Sequence, residues 1–127
     1  MIEGNGGTIC VIDDDRAVRE STVALLDSAG YTVKAFSSAD DLLRLSGSEN
    51  AHCFLLDINM PGLNGLQLLE LLRSRGIATP AIILTANGER LNTRMTRAGV
   101  LTVLRKPVSE ADLLLWIETA LKPHKAP

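Results

Sequence analysis

The chain has 127 residues, 46% of them hydrophobic and 22% charged, with a formal net charge of −2. That length suits one domain with its own core; apolar runs such as Ala81-Ile82-Ile83-Leu84 fall far short of the ~20 residues of a membrane span, and two cysteines do not make a disulfide scaffold. No basic flank or apolar stretch marks a secretory signal at Met1-Ile2-Glu3, so a soluble, cytoplasmic domain is expected.

The charge is unevenly spread. Residues 1–72 hold 4 Lys/Arg against 11 Asp/Glu, a net of −7, and residues 73–127 hold 9 against 4, a net of +5. An acidic and a basic half suggest a localised cation-binding cluster and a separate basic face.

Thr8-Ile9-Cys10-Val11-Ile12 is rich in β-branched residues and reads as a first strand, ending at Asp13-Asp14-Asp15. Arg16 to Ala29 follows as a helix whose buried face carries Val18, Leu25, Leu26 and Ala29. An aspartate caps its start and Gly30 suits its end; Asp15 is assigned that helix-start role. Thr32 to Phe36 reads as strand 2, and Ser38 with Asp41 as a capping-box variant opening a short helix through Leu45. Residues 46–50 are loop by composition.

Cys53-Phe54-Leu55-Leu56 reads as strand 3, terminated by Asp57. Met60-Pro61-Gly62 predicts a type II turn, with Pro61 fixing φ and Gly62 supplying φ > 0. The next helix buries Leu66, Leu69 and Leu72 and ends at Gly76. Ala81 to Leu84 is strand 4, Glu89 to Ala98 a sparsely apolar helix, and Val100 to Leu104 strand 5, followed by Lys106-Pro107. Ser109 with Asp112 caps a last helix with Leu113, Leu114, Ile117 and Leu121 on its apolar face, before a short tail bracketed by Pro123 and Pro127.

Strands alternating with helices predict an α/β fold, a doubly wound five-stranded parallel sheet with five helices on both faces. Near-continuous apolar strands agree with two-sided burial, and the expected strand order is 2-1-3-4-5, flavodoxin-like. The predicted boundaries are an N-terminal segment over 1–7, the domain over 8–121 and a tail or linker over 122–127.

In such sheets the site lies beyond the carboxyl ends of the strands, where strand order reverses. Strand 1 ends in Asp13, Asp14 and Asp15, strand 3 in Asp57, strand 4 in Thr85 and strand 5 in Lys106. Clustered carboxylates repel and recruit a cation, and Mg²⁺ is the natural one, leaving room for a phosphoryl oxygen. Asp13, Asp14 and Asp57 contribute −3 while Mg²⁺ and Lys106 contribute +3. A carboxylate can accept a phosphoryl group as an aspartyl phosphate, with charge neutralisation as the protein's main service.

These residues resemble the receiver domain of bacterial two-component response regulators over essentially the whole chain. The resemblance rests on Val11-Ile12-Asp13-Asp14-Asp15, Leu55-Leu56-Asp57-Ile58-Asn59-Met60-Pro61-Gly62-Leu63-Asn64-Gly65, Leu84-Thr85-Ala86 and Arg105-Lys106-Pro107. It implies that Asp57 is the phospho-acceptor, that Asp14 ligates Mg²⁺ directly, that Asp13 holds a metal-bound water and that the Asn59 backbone carbonyl completes the metal site. Thr85 matches the hydroxyl that moves towards the acyl phosphate, and Lys106 the ammonium that pairs with it. A cis Lys106–Pro107 peptide is implied too, a bond accessible only before proline. The phosphoryl donor would be a phosphohistidine on a sensor histidine kinase or a histidine phosphotransfer protein.

One position departs from the family. Three residues before the lysine, where the family usually has Tyr or Phe, this chain has Val103. Valine is small and stiff at χ1, so output here does not use an aromatic rotamer.

The remaining residues have plainer readings. Cys10 and Cys53 fall on neighbouring strands and are read as buried thiols rather than a disulfide. Neither His52 nor His124 sits in a phospho-donor helix pattern, so the chain receives phosphate without relaying it, and Trp116 is packing or partner surface. Arg90, Arg94 and Arg97 form a basic stripe on the fourth helix. Without a helix-turn-helix or interleaved aromatics, that stripe is read as a solvated face or a dimer and partner surface, not a direct nucleic-acid contact. A homodimer would use helix 4, strand 5 and helix 5. Two alternatives stay open: a degenerate receiver acting as a scaffold, and a small Mg²⁺-dependent phosphohydrolase of the haloacid-dehalogenase type. The latter wants Asp-x-Asp-x-Thr/Val after strand 1, which this sequence lacks.

Overall fold

The computed structural model describes residues 6–44 and 50–122. Its elements run β1 (Thr8–Ile12), α1 (Arg16–Ser28), β2 (Thr32–Phe36), α2 (Ala39–Arg44), β3 (Cys53–Asp57), α3 (Gly65–Ser74), β4 (Ala81–Thr85), α4 (Thr93–Arg97), β5 (Val100–Arg105) and α5 (Glu110–Leu121). The strands form one parallel sheet in the order β2-β1-β3-β4-β5, as expected.

The pleat sends alternate side chains to opposite faces, and each face is covered by its own helices. On one, Cys10, Ile12, Phe54, Leu56 and Ile83 pack against Leu42 of α2, Leu66, Leu68, Leu69 and Leu72 of α3 and Met95 of α4. On the other, Ile9, Val11, Leu55, Ile82 and Leu84 pack against Leu26 of α1 and Leu113, Ile117 and Ala120 of α5. Two-sided burial holds for β1, β3 and β4 but not at the edges: β2 and β5 are largely half-buried or exposed because each has a neighbour on one side only. The two cysteines illustrate the pleat. Cys53 pairs in register with Ile9 and Cys10 with Phe54, so adjacent strands carry the thiols to opposite faces. Both are free and buried, and burial pushes each up to about 12.

Local chemistry sets the helix starts. Asp15 accepts from the Val18 N–H, Ser38 from Asp41, Asn92 from Met95 and Ser109 from Asp112. Asn64 and Gln67 form a reciprocal capping box at α3. Gly62 takes φ +72°, as the turn after Pro61 requires. The Leu45 end of the second predicted helix, the remainder of the loop at 46–49, and the tail with His124 lie outside the described residues.

The fourth helix departs from expectation. The sequence pattern predicts Glu89 to Ala98, yet α4 spans only Thr93–Arg97. Gly88 adopts φ +83°, Glu89 is bound to Thr85 and Asn59, and Asn92 caps the helix from outside. Residues 86–92 are thereby held as a loop. Arg90 therefore leaves the predicted basic stripe, and Arg94 is paired in bidentate fashion with Glu70 of α3 at 2.7 and 2.6 Å.

Candidate acceptor and metal site

The parallel strands all end on one rim, and the rim carries the polar residues. Asp13 follows β1, Asp57 closes β3, Thr85 closes β4 and Lys106 follows β5. Asp13, Asp57 and Thr85 are the buried polar side chains among the described residues, at 0%, 2% and 1% exposure, and each has polar partners.

Two short-range hydrogen bonds shape the carboxylates. Asp13 Oδ1 accepts the Asp15 N–H at 2.9 Å, which turns the chain so that Asp14 faces solvent while Asp13 faces in. Asp57 Oδ1 accepts the Asn59 N–H at 2.8 Å, folding the loop after β3 back over that carboxylate. That loop is close-packed: a Cβ on Gly65 would lie 2.7 Å from the Asp57 carbonyl oxygen. Arg19 of α1 donates to the Asp13 carbonyl at 2.7 Å, tying the acidic turn to the helix that follows it.

Lys106 completes the rim. Its Nζ lies 2.8 Å from Asp13 Oδ2 and 3.3 Å from Asp57 Oδ2, with only 14% of the side chain exposed. The cis peptide between Lys106 and Pro107 is present. Burial works against the ammonium, but the hydrogen bond and charge of Asp13, with Asp57 behind it, hold Lys106 above its ordinary range. Asp13 is pushed up as well, first by burial, with Lys106 and the Asp15 N–H pulling the other way and Asp57 adding repulsion.

The donor set suits a hard divalent cation. Oxygens of Asp13, Asp14 and Asp57 lie within 4.8 Å of one another, two of the residues buried and one open to solvent. Carboxylates with a solvent-facing side are what Mg²⁺ takes, since it keeps several waters. An ammonium already lodged against two of the three carboxylates shows that the cluster attracts positive charge. The Asn59 N–H is engaged with Asp57, so its backbone runs beside the cluster.

Thr85 is where expected, but its hydroxyl is occupied. Its Oγ1 donates to Glu89 Oε1 and accepts the Asn87 N–H at 3.1 Å. Glu89 Oε2 accepts from the Asn59 side-chain amide at 3.2 Å, while Asn59 Oδ1 accepts the Ala86 N–H at 2.9 Å. The hydroxyl of Thr85 above all holds the Glu89 carboxyl below the usual range. The sequence reading missed Glu89, taking it for a helix-start residue. Its only signal was its place four residues after Thr85 in a segment with too few apolar residues to make a helix.

The sequence model of the response regulator receiver domain matches residues 9–118. The chain is 37% identical over 119 residues to the transcriptional regulatory protein TdiR of Thauera aromatica, covering 93% of this chain and 52% of that protein. It is 36% identical over 117 residues to the transcriptional regulatory protein FixJ of Bradyrhizobium diazoefficiens, covering 91% and 57%. Among solved structures, response regulator StyR superposes with a TM-score of 0.83 at 38% identity, covering 90% of this chain and 58% of that one. A receiver domain protein from Methanospirillum hungatei gives 0.81 at 30% identity, covering 91% and 93%. The chain thus spans about half the length of the curated relatives it matches, and nearly all of the chain in the Methanospirillum hungatei receiver domain structure.

Proposed function

This chain belongs to the response regulator receiver domain family, and from that premise we propose that it accepts a phosphoryl group on Asp57 in a two-component phosphorelay. The receiver is a signalling domain, taken here to extend over residues 8–121 with 122–127 as tail or linker. The observation that carries the reading is the convergence of one acceptor carboxylate, two further carboxylates, an ammonium and a hydroxyl on one rim.

Each residue has a role in that reading. An Asp57 carboxylate oxygen attacks the phosphorus of a phosphohistidine on a sensor histidine kinase or phosphotransfer protein. The new P–O bond forms as the P–N bond breaks, and the departing imidazole keeps the electron pair and takes up a proton from solvent. Asp14 directly, Asp13 through water, Asp57 and the Asn59 carbonyl would hold Mg²⁺. When bound, Mg²⁺ neutralises charge on the transferring group. Lys106 pairs with a phosphoryl oxygen, and Thr85 donates its hydroxyl proton to another. Lys106 is already 3.3 Å from the acceptor carboxylate, so it needs little movement. The self-catalysed transfer and slow hydrolysis are the only reactions assigned to the domain.

The partner surface is read as the α4–β5–α5 side. Leu91, just before α4, and Leu115 on α5 are the exposed large hydrophobics among the described residues, at 46% and 58%. A homodimer through this side and a cytoplasmic location belong to the same proposal. No helix of the described residues is long and apolar enough to cross a membrane.

Intact mass after incubation with acetyl phosphate and Mg²⁺, with and without chelator, beside Asp57→Ala, tests the reading. A single Mg²⁺-dependent phosphoryl adduct, absent from Asp57→Ala, is expected. Release of free phosphate without adduct would indicate a phosphohydrolase or very fast self-dephosphorylation. Neither adduct nor phosphate would replace the acceptor reading with a phosphorylation-independent scaffold.

A further inference from the structure

A hydroxyl has one proton to donate. In this structure the proton of Thr85 goes to Glu89 Oε1, although Thr85 ends the strand beside the one that ends in Asp57. The second oxygen of the same carboxylate takes the Asn59 side-chain amide at 3.2 Å. Asn59 is in turn fixed to Asp57 through its backbone N–H and to Ala86 through its side-chain oxygen. One exposed carboxylate thus fastens the loop after β4 to the loop after β3, beside the acceptor. It is an anion, and it occupies a donor that an acyl phosphate on Asp57 would need.

We infer that Glu89 is a positioning residue for the acceptor chemistry, a built-in anion that a phosphoryl group on Asp57 must displace from Thr85 before the site can close around it. The inference rests on the reading of Asp57 as acceptor and adds the competitor for its threonine. Because the Thr85 proton cannot serve both anions, phosphorylation and the Glu89 contact exclude each other. Losing the contact frees residues 86–92, the segment Glu89 keeps from continuing α4 towards the N-terminus and the one that carries the exposed Leu91.

Beryllofluoride with Mg²⁺, a chemical stand-in for the phosphoryl group, tests the competition without turnover. Binding is titrated by amide resonances for the unsubstituted protein, Glu89→Ala, Thr85→Ala and the double variant. Glu89 is exposed, so its replacement leaves the core alone; should Glu89→Ala fail to fold, Glu89→Met repeats the comparison with the length kept and the carboxylate acceptor removed. Glu89→Ala is expected to bind about fivefold tighter, the factor of one modest hydrogen bond, and the gain should vanish in the Thr85→Ala background. Unchanged or weaker binding overturns the inference, because a merely structural loop residue would behave so. A gain of equal size without Thr85 overturns it too, leaving only charge repulsion. If the unsubstituted protein binds no beryllofluoride, the acceptor reading fails and takes this inference with it; if it binds and the variants match it, the inference alone fails.

Discussion

Lys106 Nζ lies 2.8 Å from Asp13 Oδ2, an ion pair between the end of β5 and the end of β1, strands separated in the sheet by β3 and β4. The lysine stem crosses the rim of two strands to reach it and passes Asp57 on the way. This ammonium occupies part of the field that a metal ion would use. Two unit charges about 4 Å apart interact by roughly 4 kcal/mol at an effective dielectric constant near 20. About 1.4 kcal/mol is tenfold in affinity, so Lys106→Met is expected to bind Mg²⁺ at least tenfold more tightly, while holding the phosphoryl adduct less well. A Mg²⁺ titration checks the first part; unchanged or weaker affinity would show that the lysine does not compete for the cluster.

Removing and restoring the metal should register in stability. A ligand that binds only the folded state stabilises by about 2.7 kcal/mol at a hundredfold excess over its Kd, here by relieving repulsion among Asp13, Asp14 and Asp57. Mg²⁺ is expected to raise the melting temperature by several degrees and a chelator to reverse it. Asp14→Ala should abolish most of the rise and itself raise the metal-free melting temperature slightly, because it removes one of the three repelling carboxylates while leaving the core intact, Asp14 being exposed. Calorimetry with and without Mg²⁺ decides this, and a full rise in Asp14→Ala would remove Asp14 from the metal site.

Gly65 is a packing requirement of the loop after β3. A methyl group there would meet the Asp57 carbonyl oxygen at 2.7 Å and Leu56 Cβ at 3.0 Å, and neither strand atom can yield cheaply. Gly65→Ala is expected to cost about 2 kcal/mol or more in denaturant unfolding and to slow phosphorylation by displacing Asp57. Unchanged unfolding together with an unchanged rate would mean that α3 shifts freely, against its burial of Leu66, Leu68, Leu69 and Leu72.

The thiols should be inert while the protein is folded. Only the thiolate is nucleophilic, and burial raises Cys10 and Cys53 to about 12. At pH 8 the thiolate fraction is then about one in ten thousand. Alkylation at pH 8 is expected to be negligible in buffer and complete in denaturant, with no disulfide dimer or internal bridge in non-reducing mass analysis. Rapid modification of either thiol in the native state would contradict their burial.

Arg73 joins α3 to the turn after α4 through Nε to the Ala98 carbonyl at 2.6 Å and Nη1 to the Ile77 carbonyl at 2.9 Å. A planar fork matches two carbonyls in a way an ammonium cannot. Arg73→Ala is expected to lose about 1–3 kcal/mol, with Arg73→Lys recovering little of it. Recovery of most of the stability by lysine would show that charge, not geometry, holds this joint.

Much was legible in the residues themselves, because local rules and periodicity act over short range. Side-chain oxygens at Asp15, Ser38 and Ser109 marked three helix starts, and Pro61-Gly62 marked a turn. The apolar runs marked the strands, and polar residues at the ends of four of them marked one rim. What the chain pattern could not carry were relations across the rim. Whether Cys10 and Cys53 meet depends on pleat and register, which put them on opposite faces. Whether Glu89 opens a helix depends on Thr85 and Asn59 waiting for its carboxylate, and those tertiary hydrogen bonds overrode a weak helical preference. The sequence by itself determined the elements, their order and the chemical types at the strand ends, since these follow from neighbours a few residues apart. Only the tertiary structure decided which carboxylate Lys106 pairs with, which proton acceptor Thr85 holds and how short α4 is, because each rests on distances between residues brought together from separate strands and loops.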